Sequence, residues 1–301
     1  MRSETRLSQV LKKFDYSDKR KNSDQLEFGE NNEFTVEIAN DIETRIQAYR
    51  LLYKTYVEKE FAKPHSSKMW YSIFDAHPDT ATIVVKEGDK VRGALTIVID
   101  SSMGLPADSL YLEELNLMRI KGDLVSEIIS LGIDSDARGG TEILEKLFNF
   151  SYLYAKGIFG ASKFIITVNP RHAVFYEKKL LFQRVGFVKD YDRVGGMPAI
   201  CLELDLIMLT TLLETPDRIS ELKRTIYSNF INVKESKKVL HAIGSCIVKM
   251  KHTELQYFFV NQRSLFKLSP KWMLDALKSY YCHLNFDQLF VDDQLEIMAI
   301  C

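Results

Sequence analysis

The chain has 301 residues, of which 46% are hydrophobic and 27% charged, a composition typical of a globular protein with one large domain or two smaller ones. Its 40 Lys and Arg residues balance 41 Asp and Glu residues, which excludes the general basic excess expected of a nucleic-acid-binding protein. The four cysteines are far apart and form no C-x-x-C pair, so neither a disulfide framework nor a zinc site is expected.

The N-terminus has no apolar core of signal-peptide length, and no segment has the uninterrupted apolar length of a spanning helix, so we expect a cytoplasmic protein without a transmembrane segment. Residues 1–32 are polar and charged and are predicted to be a flexible or partly helical lead-in. Residues 33–213 are predicted to form one domain, and residues 214–301 a helical C-terminal extension. Within the extension, one helix each is predicted from "PDRISELKRTIYSNF", "KESKKVLHAIGSCIVKMKHTELQYFFV" and "SPKWMLDALKSYYCHL".

Hydrophobic periodicity predicts the order β-α-β-β-(α)-β-α-β-α-β within residues 33–213. The alternation in "EFTVEIA" indicates a strand, and "DIETRIQAYRLLYKTYVEKEF" indicates an amphipathic helix capped by Asp41. Two β-rich segments flank "EGDK" and predict a hairpin, while "LVSEIISLGID", "SKFIITVN" and "MPAICLELDL" predict further strands. This mixture of hairpin and crossover connections excludes both a doubly wound sheet and an all-β sandwich.

Two corners between a strand and a helix are candidates for a site. In "IITVNPRHAVFYEKKLLF" a β-branched segment ends at Asn169-Pro170, continues through Arg171 and His172, and enters an aromatic-led helix. In "DSDARGGTEILEKLF" a strand is followed by Arg138 and two glycines at a helix start, where backbone N–H groups favour anions. Ordinary alternatives are a polar turn at "ARGG", core aromatics at Phe175 and Tyr176, and a loop histidine at His172.

The element order and the "ARGG" corner resemble the N-acetyltransferase (GNAT) superfamily, and Asn169 and Tyr176 keep a seven-residue spacing found in many of its members. Four segments are similar to one branch, the long-chain N-acyl amino acid synthases, which are relatives of acyl-homoserine-lactone autoinducer synthases. These segments are "YRLLYKTY", "EIISLGID", "PRHAVFYEKKLLF" and "GGMPAICLELDL", within a resemblance that covers roughly residues 33–232. It implies an α+β fold with three α/β/α layers, a mixed, mostly antiparallel sheet and a C-terminal helical extension.

The resemblance implies an N-acyltransferase that moves a long-chain acyl group from acyl carrier protein, or alternatively from acyl-CoA, to the amine of an amino acid or similar small acceptor. The thioester is a co-substrate, and no permanently bound cofactor or metal is expected. Glu127, on an otherwise apolar strand, is the candidate base, because burial would raise its pKa. The resemblance implies that Tyr176 protonates the leaving thiolate. An alternative is that Glu127 faces solvent or pairs with Arg50.

The remaining candidates fall into two groups. Residues expected to bind the acyl donor are Ile133, Arg138, Gly139, Gly140 and Asn169. Residues expected to dock an acidic carrier protein, or to bind the acceptor, are Arg50, Arg171, His172, Lys178 and Lys179. A solvated helix face explains these lysines equally well.

Two departures from the family pattern bear on the product and the donor. Leu52 and Ser130 stand where the autoinducer synthases carry arginines of the acceptor site, which argues against a homoserine-lactone product. The glycines follow Arg138 directly, without the superfamily's usual R/Q-x-x-G-x-G/A spacing, which counts against a CoA pyrophosphate clamp. Two alternatives remain: an acetyl-CoA-dependent N-acetyltransferase, and a non-catalytic module that binds an acyl carrier or another partner.

Two further features have more than one interpretation. The aromatic residues between Tyr49 and Phe74 have helical spacing and are expected to be core more than the wall of an acyl tunnel. The apolar positions of the extension suit packing on the first domain, a homodimer contact or a membrane surface.

Overall fold

A computed structural model describes residues 34–215, 222, 225–230 and 236–290. The predicted lead-in and most of the helix predicted from "PDRISELKR" lie outside the described residues. Seven strands form one sheet: β1 (Thr35–Ile38), β2 (Ala81–Glu87), β3 (Lys90–Ile99), β4 (Val125–Ile133), β5 (Lys163–Val168), β6 (Gln183–Tyr191) and β7 (Met197–Asp205). Their spatial order is β1-β2-β3-β4-β5-β7-β6, and only β4 and β5 pair in parallel. The predicted mixed, mostly antiparallel sheet is confirmed.

The first four helices occupy the places that the predicted order gives them, and a fifth follows the last strand. They are α1 (Ile42–Glu58), α2 (Asp108–Ile120), α3 (Gly140–Tyr152), α4 (Pro170–Leu180) and α5 (Leu206–Glu214). The α1 helix begins at the predicted cap, where the Asp41 carboxylate accepts a hydrogen bond from the Thr44 N–H at 2.8 Å. The α3 helix continues without a break into a π-helical turn at Leu153–Ile158.

The extension contains α6 (Lys237–Ser245), α7 (His252–Leu255), α8 (Leu265–Leu268) and α9 (Lys271–Tyr280). A π-helical turn, Gln256–Gln262, follows α7 directly. The single helix expected from "KESKKVLHAIGSCIVKMKHTELQYFFV" is therefore wrong, because the chain leaves the helical conformation between α6 and α7.

Two buried cores cover the two faces of the sheet and produce three layers. One core joins the sheet to α3, α4, α5 and α6, through side chains such as Ile143, Leu209 and Ile243. The other joins it to α1, α2 and the segments from α7 onward, through side chains such as Tyr49 and Phe258. The parallel connection from β4 through α3 to β5 lies on the first face, as a crossover helix requires.

The extension packs on the second face through polar bonds as well as apolar contact. The Tyr71 hydroxyl donates to the Phe258 carbonyl, and the Tyr281 hydroxyl donates to the Ala76 carbonyl at 2.9 Å. Because these helices share a core with α1 and α2, the domain boundary near residue 213 stays a prediction. In the described part of the chain, no helix is both long and apolar enough to cross a membrane.

Candidate active site

The two parallel strands separate toward their carboxyl ends. The β4–β5 pairing runs from Val125 opposite Lys163 to Ile128 opposite Ile166, although β4 continues to Ile133. At the same place a bulge leaves Ile129 as an additional residue of β4 against β3. The divergence opens a wedge in the sheet at the carboxyl ends of parallel strands, a common position for a binding site.

A cavity of ≈ 320 Å³ occupies this wedge. Its walls come from α1, the segment after α1, β4, β5, the first half of α4 and the β6–β7 turn. The lining is mostly apolar or aromatic with a few polar groups, as in sites that bind small molecules. The main contributors are Tyr56, Phe61, Trp70, Glu127, Ile129, Leu131, Ile133, Thr167, Val168, Asn169, His172, Phe175, Tyr176, Tyr191 and Met197.

Glu127 is a buried carboxyl group on the cavity wall. It lies on β4 opposite Val98 of β3 and Ile165 of β5, and only 2% of its surface is exposed. Its Oε2 accepts a hydrogen bond from the Ala107 N–H at 2.8 Å, which holds the carboxyl group in place. The alternative that Glu127 faces solvent is therefore wrong.

Tyr176 lies on α4 and is half buried in the same cavity. Burial raises the pKa of its phenol above the ordinary value of 10.0, and the neighbouring Tyr56 raises this pKa further. The phenol therefore keeps its proton at neutral pH and can donate it to a group in the cavity.

Asn169 and His172 belong to the polar corner at the start of α4. The Asn169 Oδ1 caps the helix by accepting the Arg171 N–H at 3.0 Å, with Pro170 as the first helical residue. The His172 ring lies edge-on to Phe61, with ring centroids 6.2 Å apart. The strand, corner and aromatic-led helix thus direct Asn169, His172 and Tyr176 toward one cavity.

The aromatic residues between Tyr49 and Phe74 divide between core and cavity. Tyr49 and Tyr71 stack in the core beneath the sheet, as expected. Tyr56 and Trp70 stack on each other with centroids 4.8 Å apart, and together with Phe61 they form one cavity wall. The core interpretation therefore holds for only part of this group.

The cavity lining does not include the other predicted site residues. Gly139 lies at the start of α3 with φ +74°, and a Cβ there would lie 3.2 Å from Phe34 Cε2, which explains the glycine. The others are Arg50, Arg138, Gly140, Arg171, Lys178 and Lys179. Leu52 and Ser130, at the positions of the family arginines, are buried in the core and the sheet.

Several lining residues were not predicted from sequence. Tyr191, Met197 and Ala199 reach the cavity from the β6–β7 hairpin, whose first strand was missed. Thr167 lies on the same face of the sheet as Glu127, and its buried Oγ1 has no hydrogen-bond partner among the described residues. The alternation of side chains along β5 was the signal from which this position of Thr167 could have been predicted. No cluster of His, Cys, Asp or Glu suited to a metal ion occurs in the described ranges.

Comparisons with known proteins agree with this architecture. The family model described as N-acyl amino acid synthase FeeM matches residues 47–205. A solved structure of FeeM, an N-acyl amino acid synthase from uncultured soil microbes, shares 25% identity with a TM-score of 0.53 and covers 66% of this chain and 98% of its own. The fold and the cavity define an acyltransferase of the GNAT type. The chain belongs to the N-acyl amino acid synthase family and is an N-acyltransferase.

Two acyl-homoserine lactone synthases are more distant. LasI shares 15% identity with a TM-score of 0.43, covering 57% of this chain and 90% of its own. BjaI, a CoA-dependent enzyme solved with SAM and isopentyl-CoA, shares 15% identity with a TM-score of 0.42, covering 60% of this chain and 89% of its own. A comparison with curated proteins found no match.

Proposed function

We propose that this enzyme transfers a long-chain acyl group from the thioester of acyl carrier protein to the amine of an amino acid or similar small acceptor. The observation that carries the proposal is a single cavity between the diverging β4 and β5, lined by both Glu127 and Tyr176. Family membership supports acyl transfer to nitrogen; the donor, the acceptor and the roles of individual residues are proposed.

The chemistry requires a base, an electrophile and an acid. Glu127 takes a proton from the acceptor amine, directly or through a water molecule, as the amine nitrogen attacks the thioester carbonyl. A C–N bond forms, the C–S bond breaks, and Tyr176 gives its proton to the leaving thiolate. An inner strand alternates its hydrogen bonds between two neighbours, so alternate β4 N–H groups beyond Ile128 point toward the wedge. These donors would stabilise the negative charge on the carbonyl oxygen.

The size and polarity of the cavity favour a long acyl chain over an acetyl group. A methylene group is about the size of a water molecule, whose share of liquid volume is about 30 Å³. The ≈ 320 Å³ cavity thus has room for a substantial part of a fatty acyl chain. Ile129, Leu131, Ile133 and Val168 supply an apolar surface for it.

The exposed side of α4 favours acyl carrier protein over CoA as the molecule that delivers the acyl group. Arg171 and His172 lie in its first turn, and Lys178 and Lys179 lie in its last turn. Arg184 pairs with Glu177, so the one acidic side chain on this helix is neutralised. The helix therefore presents a basic surface beside the cavity, which suits an acidic carrier protein.

The start of α3 would receive the phosphate of the donor's pantetheine arm. Gly139 and Gly140 place backbone N–H groups at this helix N-terminus, Arg138 is exposed beside them, and Ile133 leads from the cavity toward them. Asn169 would contact the thioester region from the opposite strand. Arg50 is exposed on α1 and remains a predicted docking or acceptor residue.

The test is product formation by the purified protein. Long-chain acyl carrier protein, the matching acyl-CoA and acetyl-CoA are each supplied with a mixture of amino acids, and products are identified by mass spectrometry. We expect an N-acyl amino acid, formed faster from the carrier protein. Efficient transfer from acyl-CoA alone would overturn the donor assignment, and formation of N-acetyl products only would overturn the long-chain assignment.

A further inference from the structure

A second cavity adjoins the first at the β6–β7 turn. It has a volume of ≈ 330 Å³ and is lined by Phe74, Pro106, Ser109, Leu110, Tyr191 and Asp192. Tyr191 lines both cavities, so the two adjoin at this side chain. Apart from Tyr191, the second cavity is formed largely by the segment at the start of α2, which does not line the first cavity.

Glu127 lies where the two cavities approach each other. Glu127 lines the first cavity, and its carboxyl group accepts a hydrogen bond from the Ala107 N–H at 2.8 Å. Ala107 is the residue directly after Pro106 and two before Ser109, both of which line the second cavity. The proposed base is therefore held by the same short segment that forms a wall of the second cavity.

We propose that the second cavity binds the acceptor, a primary amine with an aromatic or aliphatic body; this rests on the proposed function. The mostly apolar first cavity suits the acyl chain, which leaves the adjoining second cavity for the acceptor. An amine bound in the second cavity reaches Glu127 past Tyr191. The thioester carbonyl lies in the first cavity, between β4 and β5. The amine proton then passes to Glu127 as the C–N bond forms.

The chemistry of the lining indicates the ligand class. Phe74, Pro106 and Leu110 offer aromatic and aliphatic surface to the body of the acceptor. Among the six lining residues, Asp192 alone carries a charge, and it is exposed. Its carboxylate attracts an ammonium group from solvent. The Ser109 hydroxyl donates to the Pro106 carbonyl at 2.8 Å, which leaves its oxygen lone pairs to accept a hydrogen bond from an N–H of the ligand.

The experiment fills the cavity with a larger side chain. Leu110→Trp is compared with Leu117→Trp, which lies on the same helix, is 58% exposed and is outside the lining. We expect Leu110→Trp to raise the KM for the amine by at least about tenfold while the KM for the acyl thioester is unchanged. Leu117→Trp should leave both constants unchanged. An unchanged amine KM, or a raised thioester KM, in Leu110→Trp would overturn the assignment.

A binding measurement separates this inference from the proposed function. Saturation-transfer NMR with phenethylamine and phenylalanine detects ligand contact without acyl transfer. We expect a signal with the wild type that Asp192→Asn weakens and Leu110→Trp abolishes. Equal signals from all three proteins would reject the second cavity as the acceptor site. Amine binding without any N-acyl product would instead reject the proposed function and leave the cavity assignment standing.

Discussion

The surroundings of Tyr176 suit it to the role of acid that we propose for it. Burial beside Tyr56 raises the pKa of the phenol, so the proton is retained well above neutral pH. A thiolate that leaves inside a largely apolar cavity is poorly solvated and benefits from such a donor. The spacing of Asn169 and Tyr176 could be recognised in the sequence, because both belong to one continuous segment.

Tyr176→Phe removes the hydroxyl and keeps the ring. We expect kcat to fall about a hundredfold, the lower end of what general acid catalysis contributes, with little change in the KM for the donor. The wild-type rate should not decline through ionisation of Tyr176 up to about pH 10, because burial places the pKa of this phenol above its ordinary value of 10.0. Steady-state kinetics across this pH range provide the measurement.

Tyr53→Phe is the matched control, since the Tyr53 hydroxyl bonds to the backbone of His65 and the residue is outside the cavity lining. Wild-type kinetics in Tyr176→Phe would exclude Tyr176 as the acid.

Thr167 shows what the sequence does not predict about a single residue of the cavity. The strand pattern places it on a face, but its unpartnered hydroxyl becomes visible only when β4 and β5 are seen to diverge.

At the scale of elements, α4 joins the cavity to a basic outer surface. Its first turn carries cavity residues, and its last turn carries Lys178 and Lys179 at the end where the helix dipole is negative and basic side chains are favourable. Lys178 and Lys179 would therefore be favourable both for the stability of the helix and for the attraction of an acidic partner. Only a charge-reversal experiment separates the two roles.

We expect Lys178→Glu/Lys179→Glu to raise the KM for acyl carrier protein by about tenfold or more, because opposite charge at an interface becomes like charge. The KM for the amine should be unchanged, and the difference should shrink as salt is added. Initial rates at several salt concentrations measure this. Lys237→Glu/Lys238→Glu on α6 makes the same change in charge on another exposed helix start. Equal effects of the two double variants would argue against a docking surface on α4.

The missed strand β6 shows which elements sequence periodicity does not predict. Its segment "QRVGFVKDY" lies at an edge of the sheet, and most of its side chains are exposed, so no alternation marks a buried face. Gly186 has φ +72°, and the pairing with β7 is interrupted between Val185 and Lys189. The β2–β3 hairpin was predictable because its buried positions are mostly aliphatic. The β4 strand was predictable because its sequence is rich in Val, Ile and Leu, although several of its buried positions are polar. The cavity wall that β6 and its turn supply was missed for this reason.

On the scale of the whole molecule, the extension and the sheet behave as one packed unit on the second face. His77 lies at their contact: it is 2% exposed, and its ring centroid is 4.2 Å from that of Tyr280. The sequence predicted helices in the extension, but their apolar faces suited packing on the first domain, a homodimer contact and a membrane surface equally. Contacts between residues some 200 positions apart, such as Tyr281 with Ala76, decide the packing, and local periodicity does not contain them.

His77 makes stability depend on pH. Burial, aided by the positive charge of Lys249, lowers the pKa of its imidazole from 6.5 to about 3. Between these values the unfolded chain binds the proton and the folded chain does not. The contribution is therefore fully present above about pH 6.5 and is lost as pH falls toward 3, by at most about 1.4 kcal/mol per pH unit.

Denaturant unfolding of His77→Asn at pH 7 and pH 5 should show a smaller loss of unfolding free energy on acidification than the wild type shows. His283→Asn, at an exposed position, should retain the wild-type difference. Comparing the change between the two pH values cancels any constant cost of the substitution. An identical change in wild type and His77→Asn would exclude His77 as the source of the pH dependence.

The most direct test of the whole account is a single-turnover measurement of N-acyl product with Glu127→Gln. The amide keeps the size of the side chain and an oxygen to accept the Ala107 N–H, but it cannot take a proton from the amine. We expect the rate of product formation to fall at least about a hundredfold while the affinity for acyl carrier protein is unchanged. The exposed control Glu113→Gln should react like the wild type. A Glu127→Gln enzyme that forms the product at the wild-type rate would contradict the proposal that the β4–β5 cavity is an acyl-transfer site with Glu127 as its base.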